Sequence, residues 1–438
     1  MKRDVQTLNQ GTTIAGLLQR MRELRIRATL LGVGPVSELT VRATLELARE
    51  KDFPPLFIAS RNQVDSGRFG GGYLMGGMDQ QGFVSMIRDY SAQVRYSGPL
   101  YICRDHGGPW QRNKELDERY PVERAMQIAR ESFAADLDAG FNYLHVDPTK
   151  CPHGHDLEDL CRWTVELVRY CEEHRQGIGQ GPVDYEIGAE DIQGGETSPE
   201  LFEQFLDRIT RALEAAGLPQ PTCIVGQTGT LTRADRNVGC FRLDVARRLV
   251  EVAARYGVGF KEHNGDYLSA ATCRVHPEIG VAGMNVAPEF GLAETDALLD
   301  LEELEQKLVR EGWLSEGEAS GFAGVLEVLS FEDTPWEKWM TREVRRLPRE
   351  TIQGDPSLRR LIARVCGHYL YNEGHTREAR RRLERNIDRH DLLPEPAEAF
   401  VKGKVKAAIA FYVSHFRLEG ILTAVSLPAA EPGSADSP

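Results

Sequence analysis

Eight short β-rich runs, each followed by a helical stretch, succeed one another between residue 28 and about residue 310. They read ATLLGV (28–33), PLFIAS (55–60), PLYICRDH (99–106), NYLHVD (142–147), DYEIGAE (184–190), TCIVGQT (222–228), VGFKEH (258–263) and EIGVAGMNV (278–286). Strict strand–helix alternation implies a parallel sheet, because a parallel neighbour is reached only through a long crossover. Eight such units in under about 300 residues is the size of a closed (β/α)8 barrel. An open doubly wound sheet is the rival. It would advertise a Gly-rich nucleotide loop after its first strand, and this chain has GVGPVSE at 32–38, which lacks the dinucleotide spacing. The fold expected is an α/β TIM barrel with a helical C-terminal extension.

The stretches between the runs carry helix punctuation. Residues 121–140 have Pro121 near the start and Gly140 past the end, and Ser198 with Pro199 opens 198–217. Amphipathic patterns also cover 37–51 and 242–257. Beyond residue 312 the strand signals stop. Residues 315–415 read as helix only and are arginine-rich, as in TREVRRLPRE and HTREARRRLERNIDRH. Four segments are therefore expected: an N-terminal segment (1–27), the barrel (28–311), a helical extension (312–426) and a disordered Pro/Ala/Ser-rich tail (427–438). The extension is expected to pack on the barrel or to form a subunit contact, and a homo-oligomer is expected.

Charge narrows the partners. Lys plus Arg is 53 and Asp plus Glu is 66, a net charge of −13. A general affinity for nucleic acid or an anionic membrane is excluded on that balance, but a local basic pocket is not. No apolar run approaches the roughly 18–20 residues of a membrane helix, and MKRDVQTLNQGTT lacks the apolar core of a signal peptide. Eight scattered cysteines with no C-x-x-C pair fit a reducing cytoplasm.

A barrel brings all its strand C-terminal ends to one face, so polar residues there are functional candidates. The second run leads into Ser60-Arg61-Asn62-Gln63, the third ends Asp105-His106, and the fourth carries His145 and Asp147. The fifth carries Glu186 and Glu190, the sixth Gln227, and the seventh Glu262-His263-Asn264 with Asp266 just beyond. Period-2 geometry puts His145 with Asp147, Glu186 with Glu190, and Lys261 with His263 on shared sides. A purely structural barrel would place aliphatic residues there. Imidazoles and a carboxylate from separate strands make a divalent-metal site for Zn2+, Mn2+, Co2+ or Ni2+. The expected ligands are His106, Glu190 and His263, with Gln227 as a fourth ligand or a substrate contact. The alternative for each residue alone is a hydrogen-bonded group at the inner mouth.

These motifs resemble a known family. SRNQVDSGRFGGGY (60–73), RDHGGP (104–109), AGFNYLHVD (139–147), IGAEDIQGGE (187–196), IVGQTGT (224–230) and KEHNGDY (261–267) are similar to the non-catalytic (Z-type) subunit family of class II D-tagatose-bisphosphate aldolase. In order and spacing the resemblance covers about 28–310, and more weakly the extension through CGHYLYNEGH. It implies a TIM barrel and two roles. One is a partner needed for the activity and stability of a separate class II aldolase. The other is a metal-dependent epimerase that interconverts fructose 6-phosphate and tagatose 6-phosphate at the fourth carbon. RDHGGP also resembles the Asp-His pair of catalytic class II aldolases, which makes His106 a ligand and Asp105 the acid/base. The chain lacks their His-Gly-Gly-Ser-Gly element on the seventh strand and has His263-Asn264-Gly265-Asp266 instead.

The function expected is metal-dependent aldol chemistry on a ketohexose or its phosphate, by 4-epimerisation or by tagatose-bisphosphate cleavage. Asp105 or Asp147 would move the fourth-carbon hydroxyl proton, with Glu190 a further catalytic carboxylate. Asn62, Gln63, His145, Gln227, Asn264 and Asp266 are the expected substrate contacts. Weaker signals stay open. SGRFGGGYLMGG (66–77) reads as a phosphate cradle or a lid. Cys151, His153, His155 and Cys161 match no standard zinc spacing. Lys261 forms either a Schiff base or an ion pair with Glu186 or Glu190.

Overall fold

The computed structural model describes residues 11–189 and 197–426. Eight parallel strands close into a barrel: β1 (Leu30–Val33), β2 (Leu56–Ser60), β3 (Tyr101–Gly107), β4 (Tyr143–Val146), β5 (Asp184–Gly188), β6 (Cys223–Val225), β7 (Gly259–Glu262) and β8 (Gly283–Val286). β1 pairs with both β2 and β8, so the sheet has no free edge. Each expected run holds one of these strands, with β3 reaching one residue beyond its run, to Gly107. The eighth strand starts late. Residues 278–279 end the helix Ala270–Ile279, Gly280 turns the chain at φ 90°, and pairing begins only at Gly283.

The helices follow their punctuation. Ser37 Oγ accepts the Thr40 N–H at 3.1 Å at the head of Glu38–Lys51, and Ser198 caps Pro199–Ala215. Gly140, at φ 97°, ends Val122–Ala139. Strand alternation then sorts the side chains. On β3, Arg104 faces outward to Asp136 of Val122–Ala139, with N–O distances of 2.5 and 2.8 Å. Cys103 faces inward, into a core shared with Tyr101, Tyr143 and Cys223.

Two segments close the barrel's ends. Residues 1–27 were expected only as an N-terminal segment, but the helix Ile14–Glu23 plugs the floor. The Ile14 and Ala15 N–H groups donate to the Asp184 carboxylate at 2.6 and 3.1 Å. The extension is not a separate lobe. Its helix Ala397–His415 returns to the barrel, where the Thr29 N–H donates to the Phe416 carbonyl (3.1 Å) and the Tyr412 hydroxyl to the Gly265 carbonyl (3.0 Å). The arginine-rich helix Gly374–Arg389 packs on Pro288–Arg310, with Arg380 on Glu294 at 2.8 Å and Asn386 on Glu305 at 2.6 Å. The short helix Trp336–Trp339 and the turn Gly367–Leu370 lie at the mouth, where their side chains help to line the cavity. The expected tail, 427–438, lies outside the described residues. Among the described residues no helix is long and apolar enough to cross a membrane.

Candidate metal centre

Adjacent strand residues normally face opposite sides, so Asp105 and His106 should not both reach the mouth. The β3–β4 register shifts between Arg104 and Gly107, and His106 adopts φ 43°. This irregularity turns the His106 ring inward beside Asp105. His145 follows from regular β4 geometry and is fully buried. His263 stands just past β7, and Lys261 lies two residues earlier on the same side. One nitrogen from each of His106, His145 and His263 lies within 4.8 Å of the others.

Carboxylates brace two of these rings. His106 Nδ1 faces Asp147 Oδ2 at 2.9 Å, and His263 Nε2 faces Glu186 Oε1 at 3.2 Å. With each outer nitrogen donating to its carboxylate, the inner nitrogens of the neutral rings would both present lone pairs. Those inner atoms, His106 Nε2 and His263 Nδ1, are 3.1 Å apart. Two lone pairs at that distance repel unless a proton or a cation lies between them. Two nitrogens bound to one tetrahedral cation at about 2.05 Å would be about 3.3 Å apart, so the spacing suits a shared ion. His145 completes the cluster. Its Nδ1 accepts the His106 backbone N–H at 3.1 Å, which leaves the proton on its buried, unpartnered Nε2; to ligate an ion the ring would give up one of these two positions. The donor set fits a divalent cation, and the carboxylate–histidine bracing is the outer shell such a centre uses.

The charges beneath are locked. Glu186 Oε2 accepts from Lys261 Nζ at 2.6 Å, both groups buried, with the lysine 5.3 Å from the Tyr143 ring centroid. Burial alone would lower the Lys261 pKa, but Glu186 outweighs it and holds the ammonium charged. The Schiff-base alternative, which needs a neutral amine, fails on that pairing. Burial would likewise raise Asp105, yet the surrounding imidazoles hold it well below the usual carboxylate range. Asp105 Oδ1 also accepts from Asn285 Nδ2 at 3.0 Å. Asn285 was not foreseen. Its signal in the sequence is a single polar residue in the apolar run of β8.

The other expected site residues are distributed differently. Asp147 is not free to act on substrate: one oxygen serves His106, and the other accepts from the Thr149 N–H (3.0 Å) and hydroxyl (2.5 Å). Gly188 makes room for it, since a Cβ there would sit 2.8 Å from the Asp147 carboxylate. His145, expected as a substrate contact, belongs to the histidine cluster. Gln227 is engaged through its main chain with Thr197, at 2.8 and 3.0 Å. Gln63 ties its own loop, with Oε1 on the Ser60 N–H and hydroxyl at 2.9 Å each. Asp266 accepts the Ala287 and Glu289 N–H groups at 3.0 and 2.9 Å and so anchors the start of Pro288–Arg310, and burial pushes its carboxyl up to about 7. Asn62, Asn264 and Asp266 line the cavity above the histidines. Glu190 lies outside the described residues. His153 and His155 are each held by a backbone carbonyl, of Tyr120 (3.1 Å) and Thr149 (2.8 Å), and join no metal cluster among the described residues.

The cavity measures about 250 Å3. That is below the roughly 300–1,000 Å3 of ordinary ligand pockets, so it suits a small ligand rather than a dinucleotide. Its roof is aromatic and partly supplied by the extension. Tyr73 lies 4.4 Å from Tyr369, centroid to centroid, and Trp339 Nε1 donates to the Tyr369 hydroxyl at 3.0 Å. The Gly-rich loop 66–77, read as cradle or lid, is pinned by Arg112, which donates to the Gly71 carbonyl at 2.7 Å.

A closed parallel barrel whose strand ends gather three histidines, two of them braced by carboxylates, defines a metal-competent TIM barrel. Within that class the chain belongs to the D-tagatose-1,6-bisphosphate aldolase subunit GatZ/KbaZ-like family, whose model matches residues 17–395. Among solved structures it is similar to a probable tagatose 6 phosphate kinase from Sinorhizobium meliloti 1021, at 21% identity and TM-score 0.69, over 88% of this chain and 100% of that one. It is also similar to the fructuronate-tagaturonate epimerase UxaE from Cohnella laeviribosi, at 11% identity and TM-score 0.52, over 93% and 86% of the two chains. At these identities the likeness is one of fold. No curated protein matches the chain.

Proposed function

We propose that the protein carries out metal-dependent aldol chemistry on a ketohexose phosphate, with 4-epimerisation between fructose 6-phosphate and tagatose 6-phosphate as its reaction. The observation that carries this reading is the pair of imidazole nitrogens facing each other at 3.1 Å beside Asp105 at the cavity floor. A divalent cation (Zn2+, Mn2+, Co2+ or Ni2+) held by His106, His145 and His263 would supply Lewis acidity at the second-carbon carbonyl.

Asp105 takes the proton of the fourth-carbon hydroxyl. The bond between the third and fourth carbons breaks, and its electron pair stays on the three-carbon fragment as an enediolate. The fourth carbon becomes an aldehyde. Rotation of the aldehyde fragment presents its other face, the third carbon attacks, and Asp105 returns the proton to the new alkoxide. Asp147 and Glu186 position His106 and His263 throughout. The aromatic roof favours recapture of the fragment over its loss, which separates epimerisation from net cleavage.

The test is the purified chain with metal analysis and a hexose-phosphate assay. Bound divalent metal and EDTA-sensitive interconversion of the two 6-phosphates are expected. A chain that binds no metal, or turns over neither sugar, overturns the reading. Activity that appears only on mixing with a class II aldolase would make this protein the stabilising subunit instead.

A further inference from the structure

The cavity has a second wall, opposite in character to the histidine floor. Lys150, on the loop after β4, and Lys338, on the helix Trp336–Trp339, both line the space that His106 and His263 border. Lys150 Nζ donates to Gln111 Oε1 at 3.0 Å. The backbone beside Lys338 is fixed: the Trp339 carbonyl accepts the Ala234 N–H at 2.7 Å, and the Trp339 indole reaches Tyr369. Among the described residues no carboxylate lies within 4 Å of either ammonium. Loss of water, then Lys150 and Arg233, hold the Lys338 pKa below the ordinary lysine value. In a chain with net charge −13, two cations that face one cavity and have no carboxylate partner among the described residues mark an anion site.

We propose that Lys150 and Lys338 clamp the phosphate of a ketohexose 6-phosphate and hold the aldehyde fragment at its far end. The proposal deepens the aldol reading and rests on it for the fragment's role. A phosphate monoester carries nearly two negative charges at neutral pH and three acceptor oxygens, which match two ammonium groups; a carboxylate carries one charge. Cleavage between the third and fourth carbons leaves the sixth-carbon phosphate on the aldehyde fragment. The clamp therefore tethers the piece that must turn before the bond re-forms.

Calorimetric titration of the metal-stripped full-length chain tests the clamp without turnover. Fructose 6-phosphate should bind, inorganic phosphate should compete with it, and fructose and a ketohexuronate should bind more weakly. Lys338→Met and Lys150→Met should each weaken fructose 6-phosphate binding roughly 10–100-fold, the range for a lost charged hydrogen bond. Lys338→Arg should retain most of the affinity. In the metal-loaded enzyme, Lys338→Met should raise the release of dihydroxyacetone and glyceraldehyde 3-phosphate relative to epimer. Unchanged affinity in both methionine variants at wild-type melting temperature overturns the clamp, as does equal binding of the ketohexuronate. Lysine-dependent phosphate binding by a chain with no turnover supports the clamp and sinks the aldol reading.

Discussion

The floor and the roof of the cavity are built in different ways. On the floor, each functional group is fixed twice, once by a barrel strand and once by a partner from another strand. His106 has Asp147, His263 has Glu186, Glu186 has Lys261, and Asp105 has Asn285. On the roof, Lys338, Trp339, His368 and Tyr369 sit on a short helix and a turn, held largely by ring contacts. Chemistry needs groups placed to about 0.5 Å, which strands with interlocked partners supply. Retaining a ligand needs only a shaped, dry cover. The barrel should therefore govern metal and rate, and the extension should govern what is held and for how long.

The largest effect should fall on the floor. His263→Ala should remove most bound metal and cut turnover by at least roughly 10²–10³-fold, the scale for losing one group that stabilises developing charge. Trp339→Ala should keep full metal content and instead release more triose products. Metal stoichiometry and product ratio on the same samples test the contrast. Equal metal loss in both variants would break it.

Next is the buried pair beneath the histidines. Lys261→Met leaves Glu186 buried and uncompensated, which should cost about 3–5 kcal/mol. The double change Lys261→Met with Glu186→Gln should recover most of that in denaturant unfolding. A smaller effect is expected at Asp147→Asn, which keeps the shape but loses the charge that fixes the His106 ring. Metal affinity should fall roughly 10–100-fold, the usual range for a ligand's outer partner, with the melting temperature nearly unchanged. If affinity holds, Asp147 does not orient the ring, and the floor is no more interlocked than the roof.

The two walls also differ in how far the sequence announced them. All eight strands could be read because strand and helix patterns alternate without interruption, and His106 and His263 stood out as imidazoles at strand ends. His145 was recognised as inward-facing but assigned to substrate. Its role depends on the β3 register shift that brings His106 beside it, and no residue pattern encodes that shift. Gln63 and Asp266 line the cavity, but main-chain groups also engage their side chains, those of Ser60 for Gln63 and those of Ala287 and Glu289 beyond β8 for Asp266. Lys338 and Trp339 gave no signal, and His368 and Tyr369 entered only within the weaker resemblance of CGHYLYNEGH. Helical periodicity shows that a segment is helical, but not which turn of an extension folds over the barrel mouth.

The smallest predicted effect tests whether the roof is seated on the barrel at all. His368 is buried against Gly291, where a Cβ would lie 3.0 Å from the ring's Nδ1, and that Nδ1 has no hydrogen-bond partner. Burial pushes its pKa down to about 4 from 6.5, with the Val365 hydrogen bond working the other way. His276, in the barrel wall, is likewise pushed down to about 4. Between these values the unfolded chain holds a proton that the folded chain does not. Stability from each ring is therefore complete above pH 6.5 and falls as the pH drops toward 4, by up to about 1.4 kcal/mol per pH unit. His368→Phe removes one of the two contributions and keeps the ring volume. In the metal-loaded protein it should lower the slope of stability against pH between pH 6.5 and 5, over a background set by His276, by the imidazoles that hold the metal and, in the opposite sense, by the raised Asp266 carboxyl. A fall as steep as that of wild type would mean that His368 is wet in the folded state. The turn Gly367–Leu370 would then not be packed on the barrel, and the roof would lose its claim to retain the aldehyde fragment.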